Sequence, residues 1–330
     1  MDNIEYQRYR ESCINSPRIK ILHEYFRQLS SGESQVPRQP VRASEDFLSQ
    51  ATDLSKYHHL LCQNMGPMVH HFCASVPFSL EEHCRTGIAC VRLAHTLAKE
   101  DNDYFTYYGL SAGDGTRERT IAEYSNGLIR TLTDSPTIEN MKSFSYSCNP
   151  DYSKFYHGIF CDITLEFLSL QPEFNLYKNG FDFIFIPIVF PFYGPDRITQ
   201  IKYVSDLIKQ DGLVICMEKL KDDQDISKYH KFEKIKDQKF KVNYFLDEEI
   251  SFKEQSLLKG MSDAGQVDFT TIINALKYHF EHVYLIWNSA NFYEFVASHN
   301  GDRIEQFISL LPKPYVPMEF RAEEHMLRKL

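Results

Sequence analysis

The sequence predicts an α/β protein: a mostly parallel sheet, closed by a C-terminal antiparallel hairpin and preceded by a helical extension. Three observations carry this. From about Tyr104 onward, short runs rich in Val, Ile, Phe and Tyr alternate with segments of helical periodicity, the pattern of successive strand-helix-strand units. Near the C-terminus, VYLIW (Val283 to Trp287) and NFYEFVAS (Asn291 to Ser298) are only a few residues apart. So short a connection joins antiparallel strands alone, because a parallel crossover needs about a dozen residues or more. Before the first strand, the spacing of Phe47, Leu54, Leu60, Leu61 and Met65, then of Ile88, Val91, Leu93 and Leu97, is helical. The implied division is residues 1–99 as a helical extension and lid, 100–300 as the sheet domain and 301–330 as a tail.

Residues 1 to about 50 read as an appendage, with one short helix around Ile19 to Leu29 and then SSGESQVPRQPVRAS, a linker by its Ser, Gly and Pro content. Strands are predicted at Tyr104 to Leu110, Ser143 to Cys148, Gly158 to Cys161, Phe181 to Ile188 and Leu213 to Met217. Helices fit between them, such as Arg117 to Tyr124 and Asp196 to Lys209, and Asp211-Gly212 reads as the turn into the fifth strand.

The 330 residues are 43% hydrophobic and 25% charged, which suits one large domain with additions. A formal net charge of -9 argues against broad binding to a phosphate backbone, which takes a clustered basic face. No apolar run approaches the roughly 20 residues of a membrane span, and MDNIEYQRYRES carries charges where a signal peptide needs an apolar core. A cytoplasmic chain with no membrane segment is expected. The eight cysteines form no CxxC pair, so buried free thiols are favoured over disulfides or a zinc site. His58, His59, His70 and His71 lack a third ligand at a useful spacing, and no metal is expected.

The stretch YYGLSAGDGT admits two readings, a hairpin turn or a strand that ends in a loop holding a cofactor. Gly113 and Gly115 would let the backbone pass close to a ligand, and Ser111 is small. The line Gly109-Leu110-Ser111-Ala112-Gly113-Asp114-Gly115 resembles the first motif of the Rossmann-like S-adenosylmethionine-dependent methyltransferases, an acid followed by GxGxG. Gly109 stands where the acid usually is, and Ser111 replaces the first glycine. The resemblance implies S-adenosyl-L-methionine as cofactor, with Gly109, Ser111, Gly113, Asp114 and Gly115 about its methionine part. It places Asn149 at the ribose, where the family usually has an acid ending the second strand. Asp162, followed by Ile163, would receive the adenine amino group, and Pro187 would flank the methyl donor. Asp162 has a second reading as the N-cap of the helix that begins Thr164-Leu165-Glu166.

The later residues Glu218-Lys219, Phe240-Lys241 with Tyr244, Lys253 before Met261, and Trp287 with Asn291-Phe292 resemble one branch, the carboxymethyluridine-forming tRNA wobble enzymes. Those enzymes have an arginine where this chain has Glu254, and use it to pair the extra carboxylate of their cofactor. With a like charge there, ordinary S-adenosylmethionine and methyl transfer are expected. The resemblance covers roughly Tyr104 to Ser298. It implies Glu218 and Tyr244 as catalytic groups and Tyr193, Lys219, Trp287 and Asn291 as walls of the substrate pocket. From the residues alone, Glu218-Lys219 reads equally as a solvated ion pair, and Trp287 as core packing. The implied activity is O- or N-methyl transfer to a small-molecule or carrier-bound substrate. A tRNA-modifying methyl or carboxymethyl transferase and a non-catalytic cofactor-binding scaffold are the alternatives.

Overall fold

A computed structural model describes residues 1–100, 103–146, 151–222 and 225–330. Its strands are β1 (Phe105–Gly109), β2 (Ile129–Ser135), β3 (Ser153–His157), β4 (Phe181–Pro187), β5 (Ile208–Lys219), β6 (His282–Ser289), β7 (Phe292–Ser298) and β8 (Arg328–Lys329). They form one sheet in the order β3-β2-β1-β4-β5-β7-β6-β8. The first five strands run parallel to their neighbours, while β7 is antiparallel to both β5 and β6. The residues after Gly301 join the same body, through the helix Gly301–Leu310 and through β8, which pairs with β6 at the edge of the sheet.

Side chains on neighbouring strand positions point to opposite faces, and the central strands bury both. Ile184 and Ile186 of β4, Val214 and Cys216 of β5 and Phe295 of β7 share one apolar cluster. Phe183, Phe185, Leu213, Ile215 and Val296, from the alternate positions, share the other with Ile88, Val91 and Leu93 of the long helix Ser79–Leu97. That helix is the inner layer of the N-terminal extension. The sequence helix around Ile19 to Leu29 is divided in two, Pro17–Lys20 and His23–Ser31. Among the described residues no helix is long and apolar enough to cross a membrane.

Three expectations about the sheet need correction. The second strand is Ile129–Ser135, not Ser143 to Cys148; residues 143–146 end the helix Ile138–Tyr146, and 147–150 lie outside the described residues. The misreading came from the threonines of IRTLTDS, which score as polar. They are fully buried, because Thr131 bonds Ser153 (Oγ1 to Oγ, 2.8 Å) and Thr133 donates to the Gly109 carbonyl (3.1 Å). The third strand is Ser153–His157 rather than Gly158 to Cys161, and a 3₁₀ turn, Phe160–Asp162, follows it. Asp211-Gly212 does not precede the fifth strand but bulges within it: Phe181 pairs with Ile208 and Phe183 already with Leu213.

Candidate functional site

In the strand order, chain direction across the sheet reverses between β1 and β4, and ligands of open α/β sheets bind outside the carboxyl ends of strands at such a switch point. A cleft enclosing about 930 Å³ of empty space, part of it open to solvent, lies there. Its floor is Ser111 and Gly113 after β1, Ser135 at the end of β2, Pro187 and Ile188 at the end of β4 and Lys219 at the end of β5. The roof comes from His23–Ser31, from Pro67–Ser75 and from the chain between Lys236 and Met261.

Two floor residues are strained. Ser111 and the β-branched Ile188 have φ of 47° and 54°, a region non-glycine residues occupy at a cost of about 1–3 kcal/mol. Neighbouring groups hold both in place. The Ile188 N–H donates to the Met217 carbonyl at 2.9 Å. Ser111 is clamped by Asp134 of β2, whose Oδ1 accepts from the Ser111 N–H (2.7 Å) and the Tyr108 hydroxyl (2.7 Å), while Oδ2 accepts from the Ser111 hydroxyl (3.0 Å). Burial pushes the Asp134 carboxyl up to about 7, against the downward pull of these hydrogen bonds. Asp134, next to the last residue of β2, is thus committed to holding the loop after β1.

Gly113 adopts φ +69°, and a Cβ there would stand 3.0 Å from Met68 Cγ in the roof. At Gly109 the requirement is space: a Cβ would stand 2.2 Å from Glu118 Oε1. The Glu118 carboxylate, from the following helix Thr116–Tyr124, thus occupies the space a side chain at 109 would take. Glu118 is buried with neither carboxylate oxygen hydrogen-bonded, and burial pushes its carboxyl up to about 7. It lines an annex of about 420 Å³ that shares Ser111, Gly113 and Pro187 with the cleft and also meets His83 and Arg117. Two more polar groups face the cleft with unused atoms. Arg18 donates through Nη2 to Thr137 Oγ1 (2.7 Å) and stacks on Phe26 (3.9 Å to the ring centre), but its Nη1 has no partner. Asn140 donates to Ser135 Oγ (2.9 Å) and leaves Oδ1 unpaired.

The far end of the cleft is basic. Lys219, Lys236, Lys241 and Lys253 all line it, each at most 5% exposed. Glu233 Oε2 accepts from Lys219 (2.8 Å) and Lys236 (2.6 Å), and Asp237 Oδ1 lies 2.7 Å from Lys241. Lys253 donates to His71 Nε2 (2.7 Å) and Ser75 Oγ (2.5 Å). Burial lowers Lys219 to about 8 and, with Lys236 adding repulsion, Lys241 to about 7; burial and the other three lysines take Lys253 well below the usual lysine range. Both Lys236 and Lys253 adjoin π-helical turns, Lys236–Phe240 and Glu254–Leu258, irregularities frequent at functional sites.

Of the residues singled out in the sequence, the cleft gathers Ser111, Gly113, Pro187, Tyr193 and Lys219, together with Lys241, Lys253, Met261 and Phe292 of the branch resemblance. Others are placed elsewhere. Glu218 faces away into a buried pair with Arg197 (Nε 2.8 Å, Nη2 3.3 Å), as β5 alternation requires once Lys219 faces the cleft. Trp287 is wholly buried against Met217 and Phe292 and packs the core. Tyr244 packs its ring at a tilt against Phe240 (centres 5.2 Å apart) outside the lining. Asn291 sits behind the basic end, donating to Glu233 Oε1 at 2.8 Å. Asp114 accepts from the Thr116 N–H at 3.1 Å under the helix start, and Gly115 packs on Thr133. Ile163 is core. Asp162 receives Arg10 Nε at 2.6 Å, while Thr164 caps the next helix, so the capping reading of Asp162 is wrong. Asn149 lies outside the described residues. Glu254 is exposed and does not line the cleft, which removes the ground for reading repulsion of a carboxylate from it.

The sheet is mixed, mostly parallel with antiparallel C-terminal strands, as the sequence predicts. No family model matches the chain, and no curated protein matches it. Among solved structures it is similar to the plantazolicin methyltransferase BpumL in complex with SAH and a monoazolic desmethylPZN analog, at 9% identity over 90% of this chain and 100% of that chain, with a TM-score of 0.45. It is also similar to YcgJ from Bacillus subtilis, at 13% identity over 68% and 82% of the two chains and a TM-score of 0.38. A SAM-dependent methyltransferase from Thermotoga maritima gives 11%, 66%, 91% and 0.35 in the same terms. The sheet order, rather than these likenesses, carries the assignment of fold.

Proposed function

We propose that the chain is an S-adenosylmethionine-dependent methyltransferase whose cofactor lies over the 111–113 loop and whose acceptor lies toward Lys219. The observation that carries this is the set of unpartnered polar atoms around that loop. Glu118, Arg18 and Asn140 present an anion, a cation and an acceptor carbonyl, each buried and each with an unused atom. Buried polar groups are normally paired, so these suit a ligand that brings the partners. S-adenosylmethionine fits the set: Glu118 would hold its ammonium, Arg18 its carboxylate, and Asn140 with Ser135 its ribose hydroxyls. When bound, it supplies a methyl group activated by a sulfonium.

The chain's own residues then position and enclose. Asp134 fixes Ser111, and the Met217 carbonyl fixes Ile188, so the floor is set before ligand arrives. Phe26, Phe72, Phe192 and Leu257 in the walls exclude water. Tyr193, whose hydroxyl has no partner, offers a donor in the cleft near Arg18. A cleft roofed by helices on two sides favours a small or carrier-bound acceptor over a folded RNA. The test is calorimetric titration with S-adenosylhomocysteine (SAH) of the protein and of Glu118→Gln. Loss of a charge-assisted hydrogen bond of about 1.5–3 kcal/mol predicts roughly 10- to 100-fold weaker binding. Unchanged affinity removes Glu118 from the cofactor site.

A further inference from the structure

The basic end of the cleft gathers more amino groups than the protein has carboxylates to pair with them. Four lysines come from separate positions, Lys219 from the end of β5 and Lys236, Lys241 and Lys253 from the roof, and two carboxylates, Glu233 and Asp237, answer them. Among the described residues no carboxylate lies within ion-pair distance of Lys253. Its partners are uncharged: the Gln35 carbonyl, 2.8 Å from His71 Nδ1, can only accept, so Nδ1 carries the imidazole proton and Nε2 accepts from Lys253. An ammonium has three donors, and His71 and Ser75 use two. The Lys241 ammonium, though 2.7 Å from Asp237, makes no hydrogen bond of acceptable geometry. Buried ammonium groups beyond the number of their counter-ions are costly in the absence of another negative charge.

The surroundings narrow the ligand further. The Phe292 ring centre lies 5.9 Å from both the Lys219 and the Lys236 ammonium, and Met261, Val76 and Phe192 complete an apolar wall. We propose that this end of the cleft receives the anionic group, a carboxylate or a phosphate, of an acceptor with an apolar body. This rests on the reading of the cleft as a methyl-transfer site, with the cofactor at the 111–113 end and the acceptor's charge at the lysine end. The lowered proton affinities of Lys219, Lys241 and Lys253 agree with a site short of negative charge, and an anion that enters would restore protons to it.

The test uses the full chain and three probes of similar shape: 3-phenylpropionate, phenyl phosphate and the uncharged 3-phenylpropanamide. Each is titrated calorimetrically with and without saturating SAH. Lys253→Gln is the informative variant, because it removes a charge without stranding a carboxylate, and Lys253→Arg restores the charge. At least one anion should bind tenfold or more tightly than the amide, Lys253→Gln should abolish that advantage, and Lys253→Arg should keep most of it. The tighter of the two anions identifies the source as carboxylate or phosphate. Repeating the titration at pH 8 in buffers of different ionisation enthalpy should show proton uptake. Equal binding of amide and anions, absence of binding by both anions, or an anion preference untouched by Lys253→Gln overturns the proposal. SAH affinity within twofold of normal in Lys253→Gln keeps the two readings apart: anion binding without SAH binding sinks the methyl-transfer reading alone, and SAH binding without anion preference sinks this one alone.

Discussion

Replacing Gly113 by alanine adds one methyl group at the centre of the floor, and the geometry says what it meets. At φ +69° a Cβ costs about 1–2 kcal/mol from its own carbonyl oxygen. The same Cβ stands 3.0 Å from Met68 Cγ, and since that atom belongs to a flexible side chain, yielding there adds less than the backbone strain. If the loop keeps its shape, the cost appears as stability; if it relaxes, Ser111 and Gly113 shift and the cost appears as cofactor affinity. About 1.4 kcal/mol is tenfold in a dissociation constant, so Gly113→Ala should weaken SAH binding by roughly 3- to 30-fold, lower the melting temperature, or divide the loss between the two. Met68→Ala in the same chain separates the terms, since it removes the contact but not the strain and should recover the smaller part. Calorimetric titration beside thermal melts reads both. Normal affinity together with a normal melting temperature would refute the strain assigned to this loop.

Four further outcomes follow from the same geometry. Glu218→Gln leaves the buried guanidinium of Arg197 without its counter-charge, so stability should drop by about 3–5 kcal/mol while SAH affinity of the folded fraction stays within twofold; a large affinity loss would put Glu218 back in the site. Asp162→Ala breaks a partly exposed pair with Arg10 worth at most about 1 kcal/mol, with no change in SAH affinity, whereas a tenfold loss would revive the adenine role. For Lys241, with a folded value of about 7 against about 10.4 unfolded, the unfolded chain binds more protons between those limits, so this group adds stability as pH rises through that window. It faces Lys219, Lys236, Lys253, Glu233, Asp237 and neutral His71, and protein stability measured from pH 7 to 9 should rise more steeply than in Lys241→Met. Anion binding should run the opposite way, weakening as pH climbs through 7 to 8 while Lys241 and Lys219 lose protons.

The architecture was legible because its signals are local. Alternating buried runs such as Phe181–Pro187, and a hairpin joined by a few residues, need no tertiary knowledge to read. Strand two was not legible, since Thr131, Thr133 and Asp134 are polar residues that become core only once Ser153, Gly109 and Ser111 bond them. The Ser111–Gly113 floor, Tyr193 and Lys219 followed from motif order. Glu118 did not, because only the fold brings a helix residue nine positions on against Gly109. Glu218 and Lys219 are adjacent, and only the strand's register decides which of them faces the cleft. Lys219, Lys241 and Lys253 are marked by the branch resemblance, but their meeting with Lys236 at one end of the cleft is not legible, because contacts between β5 and the roof leave no periodic trace.

The most direct test of the whole account is the stoichiometry and affinity of SAH for the unmodified protein, measured by calorimetry beside the same titration of Glu118→Gln and Gly113→Ala. A cleft built as described should bind one SAH per chain in the micromolar range, about -8 kcal/mol, and both substitutions should weaken it. No saturable binding by a folded chain, or one-to-one binding that neither substitution alters, would contradict the assignment of this cleft as a methyl-donor site.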